Sequence, residues 1–235
     1  MPTFKRTIDI AFSLAAMPFL GLCVLLMAIL HKFSAPGPIF FLQERVGHRG
    51  SRFKIYKFRT MATGADSSLQ QAYFSRLMGS SVPMVKMDAR GDSRLIPAGW
   101  LIRAAGLDEL PQIINVLRGD MSLVGPRPCL PYEFNEYLPW QRERFDAVPG
   151  LTGLWQVSGK NRTTFEEMIR LDIEYARNRS PGLDIKIILL TLPAIAAQIH
   201  DTRTARGPSI RPRPLASGAA QPTNVPKGIY TRELT

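Results

Sequence analysis

Cysteine is nearly missing from this 235-residue chain: there are two, Cys23 in an apolar run and Cys129 in a Pro-rich segment. Two thiols so placed give neither a disulfide framework nor a zinc-ligand spacing. Histidine is almost as rare. His31, His48 and His200 lie too far apart to suggest a metal cluster. Acidic side chains are also in short supply, 19 Asp and Glu against 30 Lys and Arg, which leaves a net charge of +11. That imbalance favours an anionic partner, whether nucleic acid, an anionic membrane surface or a phosphorylated substrate. No nucleic-acid motif accompanies it, so nucleic acid is not expected as a partner. No internal repeat is present. With 45% hydrophobic residues the chain can build a core, and its length suits one catalytic domain with a membrane element and a tail.

The one long apolar stretch, residues 10–30, carries no charge and has the length of a membrane span. Lys5 and Arg6 before it resemble the start of a signal peptide, but the run is long for one and no small-residue cleavage site closes it. A spanning helix and a re-entrant helix remain. Pro18 removes a hydrogen bond mid-run and bends the helix, with Gly21 beside it. Basic residues flank both ends: Lys5 and Arg6, then Lys32, Arg45, Arg49, Arg52, Lys54, Lys57 and Arg59. The positive-inside rule then puts both flanks in the cytoplasm, which a straight span does not satisfy. The re-entrant reading is therefore preferred, with the spanning one open.

Beyond this segment the pattern predicts an α+β fold. Residues 1–33 form the membrane helix, 34–200 a cytoplasmic catalytic domain, and 201–235 a basic, Pro-rich, disordered tail. The breaker run at 34–38 precedes a strand at 39–42, a turn at 47–50 and a strand at 53–58, which together make a hairpin. Residues 64–79 read as a polar helix and 80–94 as a loop. Helices are expected at 101–105, at 111–117 with Pro111 in its first turn, and at 132–145. Residues 124–128 read as extended, 149–150 as a turn and 154–157 as a short strand. Helices follow at 165–178 and 183–200, the second buried or on the membrane surface. Gly119, Gly125, Gly150 and Gly153 read mostly as turn glycines, and Trp155 as core or interfacial packing rather than a sugar platform.

The chemistry concentrates in Asp108 and Glu109, adjacent carboxylates just before Pro111. By itself such a pair is usually an acidic helix cap. Its company raises the stakes: Lys54, Lys57, Arg59, Arg94, Arg103 and Arg127 are all basic residues of nearby segments. A carboxylate attacking a phosphoryl group needs cations or Mg²⁺ to neutralise developing charge. Two adjacent carboxylates also permit one to attack while the other holds the metal.

Several runs in order resemble the bacterial sugar transferase family, the small monotopic phosphoglycosyl transferases. They are Gly37-Pro38-Ile39-Phe40-Phe41-Leu42-Gln43-Glu44-Arg45-Val46-Gly47, Tyr56-Lys57-Phe58-Arg59-Thr60-Met61, and Leu107-Asp108-Glu109-Leu110-Pro111-Gln112. Asn115 to Ser122, Gly125-Pro126-Arg127-Pro128, the run from Pro149 to Gly159, and Leu183-Asp184-Ile185-Lys186 continue it. The likeness covers about residues 5–200. It implies that Asp108 attacks the sugar-proximal phosphate of a UDP-sugar, expels UMP and forms a phosphosugar–aspartate, which a polyprenyl (undecaprenyl) phosphate then attacks. Glu109 corresponds to the Mg²⁺ ligand. Lys57, Arg59, Arg103, Gln112 and Arg127 correspond to substrate-site positions, and Pro18 to the helix-breaking position of membrane re-entry. The implied setting is the cytoplasmic face of the bacterial inner membrane, at the start of exopolysaccharide or other surface-glycan synthesis. The resemblance leaves room for a homodimer and for downstream glycosyltransferases as partners. It leaves the sugar open among hexoses such as galactose or glucose and N-acetylated sugars. Met17, Gly106 and Ile96 depart from residues common in the family, Ser, Ser and Thr respectively. The competing readings are an inert membrane-anchored scaffold and a basic nucleic-acid binder.

Overall fold

The computed structural model describes residues 2–64, 68–78, 80, 82–84, 94–159 and 162–205. Most of the expected 80–94 loop, parts of the 64–79 helix and the tail from 206 lie outside these residues.

Helix α1 runs over Thr3–Ser34, with Pro18 inside it. Its buried residues are Asp9, Ser13, Leu20, Cys23, Met27 and His31. At 100° per residue these fall within one narrow stripe. The rest of the surface shows large apolar side chains, among them Phe12, Phe19, Leu22, Leu25 and Phe33. Pro18 is exposed, half a turn from the buried stripe.

Both ends of α1 are tied to the same domain. The Arg6 guanidinium donates to the carbonyls of Val116 and Leu117, which close the C-terminus of helix α4 (Ile113–Arg118). A cation on those otherwise unpaired carbonyls also complements the helix dipole. Asp9 Oδ1 accepts from Ser122 Oγ and Leu123 N, both at 3.0 Å. Lys5 Nζ donates to Asp184 Oδ2 at 2.7 Å, to the Val124 carbonyl at 3.0 Å and to the Tyr175 hydroxyl at 3.2 Å. At the far end His31 has one ring nitrogen 2.7 Å from the Met27 carbonyl and the other 3.0 Å from the Arg59 carbonyl.

The hairpin forms as expected. β1 (Phe40–Val46) pairs antiparallel with β2 (Arg52–Phe58), in a register that sets Phe41 opposite Lys57 and Arg45 opposite Phe53. Phe40 and Phe58 stack at 5.7 Å. Phe58 packs with Leu20, Cys23 and Met27 of α1, while Phe41 and Leu42 remain exposed. Helix α2 (Ser68–Met78) and helix α3 (Gly99–Ala104) follow.

Four local expectations are corrected. Residues 107–112 form a 3₁₀ turn, Leu107–Gln112, and α4 begins only at Ile113. Gly106, at φ +70°, leads into that turn in the left-handed region that glycine tolerates. The expected helix 132–145 is broken into α5 (Pro131–Glu136) and a 3₁₀ segment, Pro139–Asp146. Pro139 has no N–H to continue the ladder and holds Leu138 extended. Residues 154–157 are a helical turn, α6 (Leu154–Val157), not a strand. A four-residue apolar run carries no period long enough to tell the two apart.

The fourth correction is a second sheet. β3 (Ser122–Val124) pairs in parallel with β4 (Gly150–Thr152). Here Gly125 and Gly150 are not turn glycines. A Cβ on Gly125 would run into the Val148 carbonyl oxygen, and one on Gly150 into the Gly125 nitrogen. The two backbones touch where a side chain would stand.

Helix α7 (Phe165–Asn178) starts at Thr164, whose hydroxyl accepts from Glu167 N while Glu167 returns a bond to the Thr164 backbone. Trp155 joins the main core with Val46, Tyr137, Phe145, Phe165 and Ile169, and its indole N–H donates to Thr163 Oγ1 at 2.7 Å. Helix α8 (Pro181–Ala205) closes the domain. Only 6% of its most apolar window is buried, and α1 and α8 are the two described helices long and apolar enough to cross a membrane. Among the described residues the result is a mixed helix-and-strand domain with two small sheets and two helices with exposed apolar side chains.

Candidate active site

Three pieces of backbone deliver the site. The 3₁₀ turn carries Asp108 and Glu109 in its first turn. Strand β2 brings Lys57. The Gly125-Pro126-Arg127-Pro128 loop, leaving β3, brings Arg127. Glu109 Oε1 accepts from Lys57 Nζ at 2.9 Å and from Arg127 Nη1 at 3.3 Å. The side chains are well shielded, with Lys57 14% and Glu109 20% exposed. Burial lowers the Lys57 pKa, and the negative charges of Glu109 and Asp108 oppose that shift.

Arg45, on the same face of the hairpin as Lys57, lies behind this pair. It donates to the Pro128 carbonyl at 3.1 Å and to Gln43 Oε1 at 2.6 Å. Burial, then the like charge of Arg127, push its pKa down to about 10. Its Nε has no hydrogen-bond partner among the described residues. Arg45, Lys57, Glu109, Gln112 and Arg127 border one narrow notch. The Arg127 backbone is held in turn by Arg144, which donates to the Arg127 carbonyl at 2.8 Å. Arg144 is itself buried against Asp172 and the Tyr137 hydroxyl.

On its other side the dyad faces a cavity of about 870 Å³. Arg103, Asp108 and Glu109 border it, and so do Phe12 and Phe19 of α1 and Leu192 and Ile195 of α8. Thr152 and Thr191 add a hydroxyl pair 2.9 Å apart. Gln198 of α8 donates to the Ala104 carbonyl at 2.8 Å, which fixes α8 over the end of α3. The cavity lining is mostly apolar and includes the charged residues Arg103, Asp108, Glu109, Arg162 and Asp201.

Of the residues expected at the site, Asp108, Glu109, Lys57, Gln112 and Arg127 come together. Arg103 borders the cavity beside them and donates to Thr60 Oγ1 at 3.4 Å. Arg59 is placed elsewhere. Its guanidinium grips the carbonyls of Ala35, Pro36 and Pro38, the connector between α1 and β1. Strand β2 ends at Phe58, so the alternation that would set Arg59 on the face of Lys57 no longer holds. Pro18 lies outside the cavity lining, on the outer face of α1. Arg45 and Arg144 were not anticipated. The hairpin register alone carries the signal for Arg45, since it sets that residue on the face of Lys57.

Among the described residues no group of three or more His, Cys, Asp and Glu could hold a metal. The dyad nonetheless suits Mg²⁺, which binds through one or two carboxylates and completes its shell with water and substrate phosphates.

The bacterial sugar transferase family matches residues 1–198. The chain belongs to that family. Among its relatives, the exopolysaccharide production protein ExoY of Sinorhizobium fredii is 37% identical over 191 residues, 81% of this chain and 84% of the relative. The UDP-glucose:undecaprenyl-phosphate glucose-1-phosphate transferase of Caulobacter vibrioides is 38% identical over 199 residues, 81% of this chain and 69% of its own length. The undecaprenyl-phosphate galactose phosphotransferase of Salmonella typhimurium is 35% identical over 192 residues, which is 40% of that longer protein. The Asp108–Glu109 turn, the Lys57 strand and the Arg127 loop of this family member all lie inside the matched region.

Proposed function

We propose that this protein transfers a sugar-1-phosphate from a UDP-sugar to a polyprenyl phosphate, at the cytoplasmic face of the bacterial inner membrane, as the first step of an exopolysaccharide. The observation that carries the reading is a carboxylate pair set between a cation cluster and an apolar cavity walled by two lipid-like helices. A soluble phosphoryl donor needs the cations; a prenyl acceptor needs the apolar walls. The named relatives act on UDP-glucose, on galactose and on undecaprenyl phosphate, which supports the same substrate classes here.

In this reading Asp108 is the nucleophile. Its carboxylate oxygen bonds to the sugar-linked phosphorus as the bond from that phosphorus to the UMP oxygen breaks, and UMP departs. An oxygen of the polyprenyl phosphate then attacks the same phosphorus and releases Asp108 as a free carboxylate. Lys57, Arg127 and Arg103 neutralise phosphoryl charge through both steps. Glu109, with Asp108 beside it, would hold Mg²⁺, which supplies further neutralisation of the phosphate oxygens when bound.

Membrane re-entry belongs to the same reading. Lys5, Arg6 and Asp9 at one end of α1 and His31 at the other all contact the one catalytic domain. Pro18 faces outward between them. Ties at both ends of α1, with a proline on its outer face, support entry and exit by the same side of the bilayer.

The experiment is UMP release from a panel of UDP-sugars by full-length protein with Mg²⁺ and undecaprenyl phosphate. Release with one donor, dependent on both lipid and metal, is expected. Folded protein that releases no UMP from any donor would overturn the assignment.

A further inference from the structure

The cations expected to meet a substrate phosphate are already holding an anion. Lys57 and Arg127 both donate to one oxygen of Glu109. Arg45, whose buried Nε is unpartnered among the described residues, borders the same notch. Lys57 is so shielded that it cannot lose its countercharge cheaply, since breaking a buried ion pair leaves a charge without solvent or partner. The same holds for Glu109. Freeing either side is costly unless something of like charge takes over the vacated place.

From this geometry, and resting on the transferase reading above, we propose that Glu109 is an internal stand-in for a phosphoryl group. In the resting enzyme it occupies the Arg45–Lys57–Arg127 notch. An incoming phosphoryl group replaces it there, and Glu109 turns to a divalent cation. Phosphate and metal binding are thereby linked through one carboxylate, over and above any direct contact between the two ligands. Arg45 becomes part of the phosphoryl site, in line with its position on the face of Lys57. The linkage also guards the nucleophile: without a bound phosphoryl group Glu109 stays on the cations, and the metal is held weakly.

The linkage can be read without turnover. Full-length protein in nanodiscs is titrated calorimetrically with UMP and, separately, with farnesyl phosphate, both in EDTA. If the stand-in holds the notch about nine-tenths of the time, removing it tightens phosphoryl binding about tenfold. Glu109→Gln is expected to show that gain. Asp108→Asn, which removes a neighbouring negative charge without emptying the notch, is expected to gain no more than about twofold. The ligand that shows the difference identifies the phosphoryl group that uses the notch, donor or lipid. In a second titration, with Mg²⁺ and no nucleotide, Lys57→Met is expected to tighten metal binding by freeing Glu109. Lys54→Met, which removes an equal charge from the opposite face of the hairpin, is expected to leave it unchanged. Equal gains for the two acidic variants with both ligands, or equal effects of the two lysine variants, would reduce the effect to net charge and overturn the exchange. UMP release by the wild-type protein tests the transferase reading separately, so each can fail without the other.

Discussion

Asp108 and Glu109 are adjacent in the chain but meet different surroundings. Asp108 is 6% exposed and borders the large cavity, whereas Glu109 also reaches the cation notch. This separation argues for separate roles. Asp108→Asn keeps the shape and removes the nucleophile, so transfer should fall by about 10⁴-fold or more, in keeping with the loss of a catalytic nucleophile elsewhere. UMP release by protein of unchanged thermal unfolding checks it, and near-normal turnover would remove Asp108 from that role. The cysteines give a residue-scale prediction of another kind. Cys129 is buried, and burial pushes its thiol up to about 12. Only about one molecule in 10⁴ is then thiolate at pH 8. In a Cys23→Ser background iodoacetamide should leave Cys129 intact in native protein and modify it after denaturation, as mass spectrometry would read. The dyad and its basic company were visible from residue types and spacing. The diversion of Arg59 to the 35–38 carbonyls was not, because strand alternation predicts a face only while the strand lasts.

Elements divide by how much local signal they carry. The hairpin, α7 and α8 have period, caps or length on their side, and each appears where its residues predict. The parallel pair β3–β4 has three residues in each strand and no repeated pattern. Its determinant is contact between the Gly125 and Gly150 backbones, a tertiary fact. Gly125→Ala should therefore cost at least the 1–3 kcal/mol typical of overpacking. It should also shift the loop that carries Arg127. A chemical denaturation midpoint measures the first effect and the Michaelis constant for the UDP-sugar the second; a neutral substitution would mean that the strands can part without loss. The 132–145 segment teaches a similar lesson, since Pro139 overrides an otherwise helical composition by withholding one donor.

At the scale of the whole molecule, two helices with exposed apolar surfaces both contribute to the lining of one cavity. The same α1 that presents Phe12 and Phe19 to the cavity is bound at Arg6 and His31 to the catalytic domain. The prediction at this scale is topological. A cysteine introduced at Thr3, in a protein otherwise free of accessible thiols, should react with a membrane-impermeant maleimide only from the cytoplasmic side. Labelling from the outside would make α1 a true span. Residue order alone determined the long apolar helix, the hairpin, the basic balance and the carboxylate dyad, because each is local: a run, an alternation, a charge count, a neighbouring pair. The closure of Glu109 by Lys57 and Arg127, the backing of Arg45 and Arg144, and the cavity between α1 and α8 were decided only by the tertiary structure. These join segments separated by tens of residues, and such contacts depend on which faces are left to pack once each element has formed.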